Sequence, residues 1–147
     1  MAKQTDLFLS QGYGNNGVQI VNADGNATWK TVYTSPALDA EPPGNDVTLK
    51  AVSVTSNDAT ARNLLVGLDI GGTVFVIGCV NIPVAAGTNG TTPAVDLLNS
   101  VAMPFLPLDI TCKRVNLMQA GTILKVKPLV AVTSGATITL VAWAEKL

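Results

Sequence analysis

The hydrophobic and polar positions fall into two regimes that meet at Val47. From there VTLKAVSVTS sets Val47, Leu49 and Ala51 against Thr48 and Lys50. A period of two with β-branched residues predicts a half-buried strand. NDATAR reads as a turn. ARNLLVGLDI then places Leu64, Val66, Leu68 and Ile70 on one face, and Asn63, Gly67 and Asp69 with Leu65 on the other. A glycine pair ends that run. TVFVIGCVNI is apolar on both faces, with Val74, Val76, Val80 and Ile82 on one and Phe75, Ile77 and Cys79 on the other. A strand covered on both sides fits a sandwich core plus a subunit interface.

PVAAGTNGTTPAV is a loop by composition. DLLNSVAMPFLPLD holds a helical turn at 96–101, stopped by Pro104. Three strands are predicted after it, at 115–118, 122–132 and 136–144, with turns at 119–121 and 134–135. Pro128 inside the second predicts an edge position or a bulge. In the last, Thr137, Thr139, Val141 and Trp143 face one way, and Ala136, Ile138, Leu140, Ala142 and Ala144 the other. No long helix is predicted. Six to eight strands with Gly, Asn, Asp and Pro between them predict an all-β fold, an antiparallel sandwich or barrel. The long crossing near 83–110 suits a Greek-key connection.

The first 46 residues are polar and glycine-rich, with short strand candidates at VQIV and at ATWKTVYT, which carries Trp29 and Tyr33. The expected organisation is an extended N-terminal arm at 1–27 and a β-sandwich domain at 28–147. Two readings of the arm stay open: a loose segment with local pairing, or one that packs on a neighbouring subunit.

Composition narrows the partners. The 147 residues suffice for one domain with a real core. Charged residues make up 13% of the chain and hydrophobic ones 48%. So few charges suggest that part of the surface is covered, with copies of the chain as the expected cover. A net charge of −1 argues against direct binding to a long polyanion. MAKQTDLF carries no signal-peptide apolar stretch, so synthesis in the cytosol is expected. Asp69, Asn81, Pro83 and glycines interrupt the apolar run at 64–87, which predicts no membrane span.

Candidate chemistry changes little. The chain has no histidine, which removes the commonest acid–base group and the commonest metal ligand. Cys79 and Cys112 form no metal-ligand pair and are read as two buried thiols in preference to a disulfide. The stretch 69–73, DIGGT, has the letters of a sugar-kinase phosphate loop. A kinase also needs a second phosphate loop, an adenosine site and a base for the acceptor hydroxyl. Two alternating runs flank this stretch, which predicts a glycine hairpin turn with Asp69 bonding the turn backbone.

Asp39 with Glu41, and Asp96 with Asp109, lack calcium-loop spacing and read as solvated loop residues and turn caps. Lys50, Lys113, Lys125 and Lys127 are scattered, and none is marked as a base. Lys113 and Arg114 form a weak basic pair, read as an exposed strand start. Trp29, Tyr13 and Tyr33 could stack on a sugar, but no defined pocket gathers them. Arg62 reads as a solvated edge residue, or as one partner of an intersubunit ion pair. The expectation is a protein that is not an enzyme, with no catalytic, cofactor-binding or metal-binding residues.

Several segments occur in a telling order. A WKT-type strand leads to AVSVTSND at 51–58, then R-x-L-x-V and a GG turn at 62–72. I-P-x-x-x-G follows at 82–87, D-L-L-N at 96–99 and P-x-L-P at 104–107. L-x-x-A-G-T-x-L-x-V at 117–126 and A-V-T-x-G-x-x-I-x-x-V-A at 131–142 close the series. This series, across residues 28–145, resembles jelly-roll capsid decoration (cement) proteins of tailed bacteriophages. The resemblance implies a jelly-roll fold and a homotrimer seated on the capsid exterior, with the major capsid protein as partner. It implies a virion location after synthesis in the host cytoplasm, with no catalytic residue to carry over. Similar folds serve in phage tail and head-fibre parts. A glycan- or receptor-binding jelly-roll module is the remaining reading.

Overall fold

The pairing of strands is nested. A computed structural model describes residues 13–35, 47–99, 101–108, 116–118 and 121–146. Its strands are β1 (Tyr13–Val21), β2 (Lys30–Thr34), β3 (Val47–Ser56), β4 (Arg62–Ile70), β5 (Thr73–Ile82), β6 (Val95–Asp96), β7 (Asn116–Met118), β8 (Ile123–Pro128) and β9 (Thr137–Lys146). β1 pairs with β9, β2 with β8, β3 with β6 and β7, and β4 with β5, all antiparallel. β3 also joins β9, and β4 joins β8. The result is two sheets, β1-β9-β3-β6 with β7 beside β3, and β2-β8-β4-β5. The chain is an antiparallel β-sandwich, as the alternating pattern predicts.

The period-two pattern chooses the buried faces. Ile138, Leu140, Ala142 and Ala144 of β9 meet Leu49, Val52 and Val54 of β3 and Ile20 of β1 inside the first sheet. Leu64 and Val66 of β4, Val80 and Ile82 of β5, and Leu124 and Val126 of β8 supply the facing layer. Full burial of such side chains stabilises by roughly 1.5–3 kcal/mol each, before ordering costs. Thr137, Thr139, Val141 and Trp143 lie on the outer face, as read from the sequence.

Several details differ from the expectation. The segment at 13–27 is not all arm. β1 is a nine-residue edge strand of the first sheet, and Ile20 lies in the core. VQIV is its apolar end, and a 3-10 turn at Asn22–Asp24 follows it. Alternation in β3 breaks at Lys50, where the register to β9 shifts between Leu49 and Ala51. The inward set is therefore Leu49, Val52 and Val54, and Ala51 moves off it. One extra residue flips every later side chain, which strict alternation cannot register.

Among the described residues of 96–101 none is helical: Asp96 ends a short strand, and a single turn follows in which the Met103 N–H donates to the Asn99 carbonyl at 3.0 Å. Val95 and Asp96 pair with Val54 and Ser53 of β3, and Asn99 turns the chain by accepting from the Val101 and Ala102 N–H groups. Pro128 ends β8, which is an interior strand. It is tolerated because β2 pairs only as far as Val126, so β8 has no neighbour on that side at Pro128.

Candidate interaction surface

DIGGT forms the predicted hairpin. Ile70 pairs with Thr73, and Gly71 and Gly72 take φ values of 63° and 90°. Positive φ at both central residues is the turn geometry that matches strand twist, and glycine adopts it cheaply. Asp69 locks the turn by accepting from the Gly72 N–H at 2.9 Å. Its other oxygen accepts from Lys125 Nζ on β8 at 2.6 Å. The Lys125 hydrogen bond chiefly holds the Asp69 carboxyl below its usual range, against the opposing effect of burial. Both oxygens are thus engaged in holding the hairpin to its neighbour.

The hairpin carries an apolar edge. Among the described residues β5 pairs only with β4, so its far side is a sheet edge. The register shifts between Val66 and Gly67, leaving Ile77 as an extra residue on β5. Val80 and Ile82, beyond that bulge, are buried. Phe75 and Val76, before it, are 54% and 57% exposed, and Ile70 across the turn is 54% exposed. β5 is apolar on both faces, but the bulge places Val74 and Val76 on the face opposite Val80 and Ile82, not with them as the alternation predicts, and its turn-proximal half lies uncovered. Cys79 is a free, exposed thiol, not the buried one expected, and Cys112 lies outside the described residues.

A loop extends this edge. Residues 97–99 and 101–108 lie along the side of the sandwich where β6 and β5 end the two sheets. Leu97, Leu98, Met103 and Leu106 are buried, and Met103 fills the space beside Gly78 of β5. Val101 at 92% and Phe105 at 61% exposure point away from the core. Neither was singled out from the sequence. The available signal was charge: residues 70–108 contain one charged side chain, Asp96. Asp96 Oδ1 accepts from the Val52 and Leu98 N–H groups, so it ties β6 to β3.

The other candidates resolve into structure. Arg62 is not the solvated edge residue expected, and it finds an ion-pair partner within the chain. Its Nε donates to Asp58 Oδ2 at 2.8 Å, and its Nη2 donates to the Thr133 hydroxyl at 2.7 Å. Asp58 is fully buried. Burial alone would raise its pKa. Donation from the Thr133 N–H, Arg62, the Thr133 hydroxyl and the Thr60 N–H overcomes this and holds it well below the carboxylate range.

Trp29 lies over Gly67 with Lys127 Nζ 5.1 Å from its ring centre, so a lysine occupies the space above the ring. Tyr33 packs against the core, and burial pushes its phenol up. Trp29 and Tyr33 thus have separate surroundings and form no shared sugar platform, and the side chain of Tyr13 lies outside the described ones. Lys50 pairs with Glu145 at 3.0 Å. Asp39, Glu41, Asp109, Lys113 and Arg114 lie outside the described residues. No group of His, Cys, Asp and Glu that could hold a metal occurs among the described residues. None of their helices is long and apolar enough to cross a membrane.

Ile70, Phe75, Val76, Val101 and Phe105 are thus left exposed. No protein-family model matches the chain. No curated protein matches it.

Proposed function

We propose that the chain is a virion structural protein that binds the outside of a bacteriophage capsid as an oligomer and stabilises it. The observation that carries this reading is the convergence of four of the resemblance's segments around the buried Asp58. AVSVTSND ends in Asp58, R-x-L-x-V begins with Arg62, and A-V-T-x-G contains Thr133. These three side chains bond one another. The I-P-x-x-x-G segment joins the same corner, where the Ser56 N–H donates to the Ala86 carbonyl and the Ala85 N–H to the Asp58 carbonyl. Matches between Ala51 and Thr133 thus meet at one corner of the sandwich. The nested strand order supports reading the sandwich as a jelly roll, the fold that the resemblance implies.

The function would be mechanical. An oligomer lays several copies of an apolar surface on several capsid subunits at once, and weak contacts combine through multivalency. The resemblance implies a homotrimer with the major capsid protein as partner. Co-sedimentation of the purified chain with undecorated heads of the phage that encodes it tests this. Saturable binding at a fixed number per capsomer, with heads that resist heating better, is expected. Binding confined to tails or fibres, or none at all, overturns it.

A further inference from the structure

We infer that the outer edge of β1 is a strand-addition site, which takes an extended segment of the partner protein through its main chain. The partner's identity as a capsid subunit rests on the proposed function, whereas the geometry of the edge does not.

The direction of each main-chain group in β1 follows from its neighbours in the sheet. The Leu97 N–H donates to the Val52 carbonyl and the Val52 N–H to Asp96 Oδ1, so both groups of Val52 face β6. The Ser56 N–H also turns away from β9, to the Ala86 carbonyl, whereas the Asn57 N–H donates to the Thr137 carbonyl. In an antiparallel ladder successive residues alternate between the two sides. Ala142, opposite Val52, therefore bonds on its other side, to Asn16 of β1. Asn16, Val18 and Ile20 thus bond β9, and Asn15, Gly17, Gln19 and Val21 turn their main-chain groups outward. Val21 bears this out independently, since its N–H donates to Asp24 Oδ2 at 2.8 Å, outside the sheet. That bond caps one end of the edge. The N–H and C=O groups of Asn15, Gly17 and Gln19 meet no partner among the described residues, and Gly17 and Gln19 are exposed.

The chemistry of this row selects its occupant. Donors and acceptors recur at every second residue, about 6.8 Å apart. An extended polypeptide carries the complementary groups at the same spacing, and main-chain pairing alone places no demand on its side chains. Gly17, midway along the open stretch, has no side chain to crowd an incoming strand. Sheet edges are ordinarily guarded by charge, by Pro, by a bulge or by shortness. β1 has nine residues in unbroken register, with no charge and no Pro. The other edges are guarded, β2 and β5 by bulges, and β6 and β7 by lengths of two and three residues.

The same comparison sets a second copy aside. Among the described residues its β2, β5, β6 and β7 offer no long unbroken edge. Its β1 could pair only about a two-fold axis, which closes at a dimer and not at the homotrimer that the resemblance implies. The occupant is therefore a strand of a different chain. β1 also lies at the opposite end of its sheet from β6, so this contact is separate from the apolar side.

Undecorated heads of the phage that encodes the chain are the probe. Amide exchange at single-residue resolution is read on the full chain, free and bound to heads. In the free chain the Gly17 and Gln19 amides should exchange faster than those of Val18 and Ile20. On heads, Gly17 and Gln19 should slow by about tenfold or more, while Val18 and Ile20 change little. Gly17→Pro removes an outward N–H and no bond to β9. Its circular dichroism should stay that of the wild type, and its affinity for heads should fall about tenfold or more. Val18→Pro removes a bond to β9 and should destabilise the fold. A Gly17→Pro chain that unfolds as Val18→Pro does, or that binds heads as the wild type does, overturns the edge. Head binding with unchanged exchange at Gly17 and Gln19 also overturns it, and leaves the proposed function standing. Slowing of these amides with protein concentration alone gives the edge to a second copy and overturns the partner. A wild type that binds no heads removes the proposed function, and the partner with it.

Discussion

Thr133 donates twice to Asp58, from its backbone N–H at 3.0 Å and from its hydroxyl at 2.7 Å. Its hydroxyl also accepts from Arg62, which itself donates to Asp58. The three residues form a closed ring at one end of the sandwich, where the turn after β3 meets the segment between β8 and β9. Asp58→Asn removes the charge and leaves the nearly buried Arg62 without its counter-ion. Loss of one partner of a buried pair costs roughly 3–5 kcal/mol, and a value near the lower end is expected because Arg62 keeps some solvent contact. A fall in the urea midpoint at constant m-value is the measurement. Arg62→Lys should cost less, since one donor remains.

Acid should find the same site. A carboxylate whose folded pKa lies below its unfolded value near ~3.9 binds protons more readily when unfolded. Stability from Asp58 is therefore complete above about pH 4 and is lost as pH falls towards its depressed folded value. Asp24, held low chiefly by the Lys30 hydrogen bond, and Asp69, held low by Lys125, act with the same sign. Wild-type stability should decline steeply below pH 4. The Asp58→Asn variant should show a shallower decline. Equal slopes in chemical denaturation between pH 5 and 2.5 would contradict the assignment.

Two glycines separate stiff from yielding neighbours. A Cβ at Gly67 would lie 2.6 Å from Val74 Cγ1 and 3.1 Å from the Trp29 ring. A Cβ at Gly78 would lie 2.7 Å from Met103 Cγ. Val is restricted at χ1, whereas Met bends at three bonds. Gly67→Ala should cost roughly 2 kcal/mol and Gly78→Ala about 1 kcal/mol or less, by thermal or urea unfolding. Only the Gly67 variant should also shift tryptophan emission, because it displaces Trp29.

Ala85 sits at φ 52°, in the left-handed region. Its N–H donates to the Asp58 carbonyl and its own carbonyl accepts from Thr88, so the conformation is held from both sides. A Cβ there costs roughly 1–2 kcal/mol, of which glycine's greater unfolded-state freedom offsets part. Ala85→Gly should therefore stabilise by up to about 1 kcal/mol and raise Tm by about 2–4 °C. An unchanged or lower Tm would show that the loop relaxes around the alanine.

Much of this architecture was legible in the sequence. The faces of β9, the DIGGT hairpin and the doubly apolar β5 follow from period-two patterning and turn chemistry, which are local. The misreadings share a cause, since each depends on a residue far along the chain. The bulge at Lys50 shows only against β9. β1 is a strand because β9 offers it an edge, although YGNNG has low strand propensity. Arg62 looks like a surface residue until Thr133 is placed beside Asp58. The uncovered side was legible only in part. β5 announced itself by composition, whereas Val101 and Phe105 sit in a loop whose fixed points, Asp96, Asn99 and Met103, act through distant backbone.

The nesting of the strands also has a consequence in time. β9 lies between β1 and β3, and β8 between β2 and β4, so the last strands to be made are interior to both sheets. Sheets dominated by such distant pairings close slowly. During synthesis β1 must wait for β9 and β2 for β8, while β3 meets only the short strands β6 and β7 before β9 arrives. Of the long strands, only β4 and β5 can pair with an immediate neighbour in the chain. The element that forms first is thus the one that carries the exposed edge, and the order of synthesis keeps an interrupted chain from presenting a finished sandwich.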